Sequence, residues 1–70
     1  MVTIEKLNTL NDLEMSIYHY VEAHRDEVVK LKLKDIAEVI HVSPSMITRT
    51  AQKIGYDGFV EWKTAIKMEN

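Results

Sequence analysis

The feature that most constrains this chain is a pair of short apolar faces split by a turn, in the stretch DIAEVIHVSPSMITRTAQKIG from Asp35 to Gly55. Ile36, Ala37 and Ile40 share one helical face at i, i+1 and i+4. After a bend at His41, Ile47, Ala51 and Ile54 form a second face at i, i+4 and i+7. Between them stands Ser43-Pro44, an N-cap followed by the residue best suited to the first helical position. The small Ala37 lets two helix axes approach closely, so the pattern predicts a helix-turn-helix over about residues 33–54. The second helix keeps Ser45, Thr48, Arg49, Gln52 and Lys53 off its apolar face, and no acidic residue occurs from Ser43 to Tyr56. Hydroxyls at a helix start, with a cation one turn on, suit a DNA major groove.

Net charge of -2 argues against a nucleic-acid partner if taken whole, but its distribution does not. Residues 1–29 carry Lys6 and Arg25 against Glu5, Asp12, Glu14, Glu22, Asp26 and Glu27, a balance of -4. Residues 30–54 carry Lys30, Lys32, Lys34, Arg49 and Lys53 against Asp35 and Glu38, a balance of +3. The rest holds Lys63 and Lys67 against Asp57, Glu61 and Glu69, a balance of -1. The positive excess therefore coincides with the helix-turn-helix, where an electrostatic footprint belongs. It is small, so non-specific affinity is expected to be weak.

Seventy residues make one domain with a limited core, well made or shared with a partner. There is no cysteine, hence no disulfide framework and no thiolate metal site, a composition that fits a reducing cytoplasm. The first ten residues lack a signal pattern and no apolar run approaches bilayer length, so a cytoplasmic protein without membrane association is expected.

The remaining chain reads as helix throughout. Thr3 caps a short first helix bearing Ile4 and Leu7, with Leu10 continuing the row. Asn11-Asp12-Leu13-Glu14, a variant capping box, opens the longest helix, whose apolar stripe is Leu13, Ile17, Tyr20 and Val21. Val28, Val29 and Leu31 form a helical turn or an extended link. Helices follow over Lys34–Ile40 and Pro44–Ile54, the second stopped by Gly55 at a C′ position. A last helix opening at Asp57 or Gly58 sends Phe59, Trp62, Ile66 and Met68 toward the core. The expected architecture is all-α, a homeodomain-like bundle of about five helices.

Each candidate has a plainer alternative. The alternating KLKLK at 30–34 is short enough to be a helix entrance rather than a strand, its lysines either solvated or set against phosphates. Arg49 has Ser45 at i-4 and Lys53 at i+4, so no helical acid neutralises it, which favours a ligand over a local ion pair. Met46 and Thr48 either touch a thymine methyl or fill the rim of the core. His19 and His24 are five residues apart on different faces of one helix, and no metal or other cofactor is implied. Tyr18, Tyr20, Tyr56 and Trp62 fit packing better than base stacking. With no phosphate loop and no nucleophile beside a base, catalysis is not expected.

From Leu33 onward the chain resembles the N-terminal domain of the RpiR-type bacterial transcription regulators. The likeness is carried by Ile36-Ala37, Val42-Ser43-Pro44-Ser45, Ile47, Arg49, Lys53-Ile54-Gly55-Tyr56, Gly58-Phe59 and Glu61-Trp62-Lys63. Asn11–Val29 also resembles the long helix and short turn that precede the motif in that family. The resemblance implies sequence-specific binding to double-stranded DNA as a homodimer, controlling sugar or amino-sugar genes. It further implies a phosphosugar effector acting through a sugar-isomerase-type domain that is not part of these residues. Three positions depart from the family pattern: Lys32 at a capping position usually Ser or Thr, His41 where Gly is usual, and Thr50 in place of a core aromatic.

The expected function is thus a DNA-binding module that reads the major groove with helix 44–54. Ser43, Ser45, Met46, Thr48 and Arg49 are its groove-facing residues, and Lys32, Lys34 and Lys53 the marginal cations. The alternative is a protein-interaction or dimerisation domain that keeps the fold without the DNA surface.

Overall fold

The computed structural model describes residues 2–69, and among these it contains six helices and no strand. They are α1 (Ile4–Leu7), α2 (Asp12–Ala23), α3 (Arg25–Val28), α4 (Leu33–Ile40), α5 (Pro44–Lys53) and α6 (Phe59–Glu69). The all-α expectation holds; of the ambiguous link only Val28 is helical, as the last residue of the short α3, and Val29 and Leu31 lie in the turn after it.

Helix α5 is the hub, packing against α2, α4 and α6. Its Ile47 and Ala51, with Ile54 just beyond, meet Ile17 and Val21 of α2, Val28 of α3, Ile36 and Ala37 of α4, and Phe59, Trp62 and Ile66 of α6. All eleven are buried. Fully burying a side chain of this size stabilises by about 1.5–3 kcal/mol, so one continuous core holds the outer helices to α5. Thr50 is buried as well; its hydroxyl donates to the Met46 carbonyl at 2.8 Å, which satisfies the polar group that a core aromatic would not bring.

The helix boundaries follow from caps. Thr3 Oγ1 accepts from the Lys6 amide at 3.2 Å. At Asn11 the capping box is complete: Asn11 Oδ1 accepts from the Glu14 amide and Glu14 Oε1 from the Asn11 amide, both at 2.8 Å. At Lys32 only half of such a box forms. Asp35 Oδ2 accepts the Lys32 amide at 3.4 Å, whereas an ammonium has no lone pair for the first turn of α4. His41 adopts φ 59°, ψ 45°, the left-handed conformation that the bend demands. There its own amide and that of Val42 both donate to the Ala37 carbonyl, closing α4. Gly55, at φ 112°, ends α5 in a Schellman arrangement, its amide on Gln52 and that of Tyr56 on Ala51.

Two sequence expectations need correction. The stripe of α2 is Glu14, Ile17 and Val21, not one led by Leu13, which is 46% exposed. Capping turns Glu14 inward and rotates Leu13 out. Met68 is 82% exposed, because Phe59, Trp62 and Ile66 already use the inner face of α6. In the first segment, Val2, Leu7 and Leu10 pack on this chain's own core, leaving only Ile4, 76% exposed, without cover. Leu7 and Leu10 of that apolar row are thus covered within the chain itself.

Candidate nucleic-acid interface

The site is the outward side of α5 with the start of α4 beside it. At about 3.6 residues per turn, Ser45, Arg49 and Gln52 lie opposite Ile47, Ala51 and Ile54. All three are exposed. Thr48, half-buried, falls on one flank; Met46, half-buried, and Lys53 fall on the other. Because the inner face is fixed in the core, the outer one is presented by a rigid element rather than a loop.

The N-terminus of α5 is prepared by Ser43, whose Oγ accepts from the Met46 amide at 3.3 Å. Ser43, Pro44 and Ser45 are exposed, and the first turn carries no acid. The remaining amide potential of this turn is therefore open to an anion.

On the Thr48 flank, α5 faces the start of α4 across an open groove lined by Lys32, Leu33, Thr48, Gly58 and Phe59, with Asp57 and Glu61 also on its walls. Lys32 and Lys34 are exposed and form no ion pair among the described residues. Arg49 is likewise outside any ion pair among them.

The opposite flank is different in kind. Lys53 Nζ donates to Glu14 Oε1 at 2.9 Å, joining α5 to the first turn of α2. Glu14 is 0% exposed, and the lysine side chain 36%. Lys53 is thus not a loose cation at the margin, as its place in the sequence implied. The Asn11 amide and then the Lys53 ammonium hold the Glu14 carboxyl below the usual carboxylate range, outweighing the burial that raises it; Arg49 adds a smaller pull. Glu14 Oε2 has no hydrogen-bond partner.

Two further polar residues have structural roles. Gln52 Nε2 donates to the Asp57 carbonyl at 3.2 Å, bracing the turn after α5. Lys63 donates to the Leu31 carbonyl at 2.8 Å and lies over the Phe59 ring, tying α6 to the entrance of α4. Sequence reasoning assigned Lys63 no role, since a contact across 32 residues leaves no periodic trace. Among the described residues no cluster of His, Cys, Asp and Glu is placed to hold a metal ion, and no helix is long and apolar enough to cross a membrane.

Comparison with known proteins agrees with this geometry. Residues 3–70 match the helix-turn-helix domain of the rpiR family. Over 61 residues the chain is 34% identical to the HTH-type transcriptional regulator GlvR of Bacillus subtilis strain 168, an alignment covering 87% of this chain and 24% of that protein. The chain thus spans about a quarter of the length of that curated relative. No solved structure matches it. With its sequence matched almost end to end and α4, the His41 turn and α5 folded as the motif requires, the chain belongs to the rpiR family of helix-turn-helix domains.

Proposed function

We propose that this chain is the DNA-binding module of a bacterial transcription regulator and that α5 reads the major groove. The observation that carries the reading is the outward face of α5: capped by Ser43, lined by Ser45, Thr48 and Arg49, free of acids, and fixed from behind by a buried face. Arg49 is the only guanidinium on the motif and the best donor for a two-pronged contact to a guanine edge. Ser43 and the first amides of α5 suit a phosphate, Ser45 and Thr48 suit base edges, and Met46 a thymine methyl. Lys32 and Lys34 supply point charges for the backbone.

The name of the Bacillus subtilis relative supports a role in transcription. The resemblance to RpiR-type regulators supports control of sugar or amino-sugar genes, with a phosphosugar sensed through a domain outside these residues. It supports a homodimer too, setting two recognition helices about one DNA turn apart on a near-palindromic site. Selecting bound duplexes from a random pool tests the reading directly. The expected product is a near-palindrome whose affinity falls steeply with salt. Recovery of no sequence, with affinity indifferent to salt, would favour the protein-interaction alternative.

A further inference from the structure

The Lys53–Glu14 contact sets a cation of the recognition helix against a buried acid of another helix, and the proposed function makes no use of it. Electrostatics alone would bring Lys53 to a phosphate, since it lies one turn beyond Arg49 on the same helix. Its ammonium is instead spent on Glu14 Oε1, 2.9 Å away, in a carboxylate with no exposed surface. To follow a phosphate, Lys53 would have to leave that carboxylate with the Asn11 amide as its one hydrogen bond among the described residues. A buried charge stripped of its partner is strongly unfavourable, so a hydrated phosphate competes poorly for this lysine.

We propose that Glu14 is a specificity-determining residue that withholds Lys53 from DNA. It acts through Lys53 and touches no DNA itself. By occupying the ammonium it removes a sequence-independent attraction from the edge of the reading face. Discrimination is left to Ser45, Thr48 and Arg49, whose contacts depend on the bases. The small positive excess of residues 30–54 is thereby reduced further in effect, and the ratio of specific to random binding rises. This inference rests on the proposed DNA-binding role.

The chemistry allows a clean test because glutamine also serves a capping box. Glu14→Gln keeps an acceptor for the Asn11 amide while removing the charge that holds Lys53. Binding of the chain, E14Q and the double variant E14Q/K53M is measured on a selected site and on a random duplex across a salt series, with a thermal melt of each. E14Q is expected to bind random duplex several-fold more tightly and to steepen the salt dependence by about one unit, lowering the specific-to-random ratio. The double variant, whose net charge equals that of the original chain, is expected to return both the affinity and the slope to their starting values.

Two results would overturn the inference alone: E14Q with unchanged random-duplex binding, or a double variant whose slope falls about one unit below the original. The second would show that Lys53 contacts phosphate in the unaltered protein. Absence of salt-dependent binding by the unaltered chain would overturn the DNA-binding reading itself, and this inference with it. If the melt shows E14Q unfolded, the double variant decides, since replacing a buried ion pair by uncharged groups is commonly tolerated.

Discussion

The two flanks of α5 carry the same kind of residue in different circumstances. On the side facing α4, Lys32 stands beside Thr48 at an open groove, exposed and outside any ion pair among the described residues. On the side facing α2, Lys53 is bonded to a carboxylate that solvent does not reach. A lysine at the edge of α5 is therefore either an electrostatic probe or a structural strut. What decides is the partner the fold brings to it from elsewhere in the chain.

The largest expected effect tests the strut. Lys53→Met should lower stability by about 2 kcal/mol, less than the roughly 3–5 kcal/mol of a fully buried pair, because the lysine is partly hydrated already. Urea unfolding at neutral pH measures it. The acid side sharpens the point. Glu14 titrates lower in the folded chain than in the unfolded one, so its contribution is complete above the ordinary carboxylate range and is lost as pH falls through the depressed folded value. Removing Lys53 deletes one cause of the depression and leaves the burial. The stability gap between the two chains should therefore be widest at neutral pH and narrow as acid protonates Glu14. A gap that stays constant through the acid range would mean that Lys53 stabilises by packing and not through the Glu14 charge.

The middle of the face comes next. Arg49→Ala should lose about 1–3 kcal/mol on the selected site and relax preference at one base pair, while random duplex is affected much less. Equal losses on both duplexes would make Arg49 a phosphate clamp, moving it from the reading class to the class of Lys32. Specificity would then have to come from Ser45, Met46 and Thr48 or from DNA shape.

The turns that bound α5 offer a smaller comparison. Both place a residue at positive φ, and Gly55 meets the demand freely while His41, at φ 59°, does so at a cost. His41→Gly should therefore stabilise by roughly 0.5–1 kcal/mol, net of the added unfolded-state entropy, raising the melting temperature by about 2–8 °C. DNA affinity should hardly move. A lower melting temperature would show that the imidazole makes compensating contacts in solution.

How much of this was legible beforehand varies with the range of the interaction. The second helix of the motif, its Ser43 cap, the bend at His41 and the Gly55 stop all follow from neighbours within a few residues, and the sequence displays them; the burial of Thr50 is implied only by the family resemblance. The inner face of α2 is hidden from periodicity because Glu14 counts as polar in it, and the capping box marks a helix start without showing that the carboxyl lies inside. Met68 extends a real apolar period past the point where the core is full. The Lys53 partner lies 39 residues away, and no spacing rule reaches it. Helix type and local caps were accessible; which surface cations the tertiary fold had already claimed was not.

The smallest effect separates the flanks most directly. Lys34→Ala removes a cation that is exposed at the start of α4 and outside any ion pair among the described residues, and Lys32→Ala another at the groove beside Thr48. If these meet the DNA backbone, each substitution weakens every duplex alike, whatever its sequence, and lowers the salt slope by about one unit. Neither should alter base preference, since a phosphate contact carries no sequence information. Lys32→Ala should also leave stability within a few tenths of a kcal/mol or slightly improve it, because an ammonium at the N-terminus of α4 opposes the helix dipole and cannot cap the first turn. The charge-neutral E14Q/K53M variant supplies the contrast, with its slope expected at the original value. Should all three variants shift the slope equally, the buried carboxylate does not hold Lys53 against DNA, and the flanks are electrostatically alike. Should Lys34→Ala leave the slope unchanged while Lys32→Ala lowers it, the backbone track runs through the Thr48 groove alone and clear of the exposed side of α4.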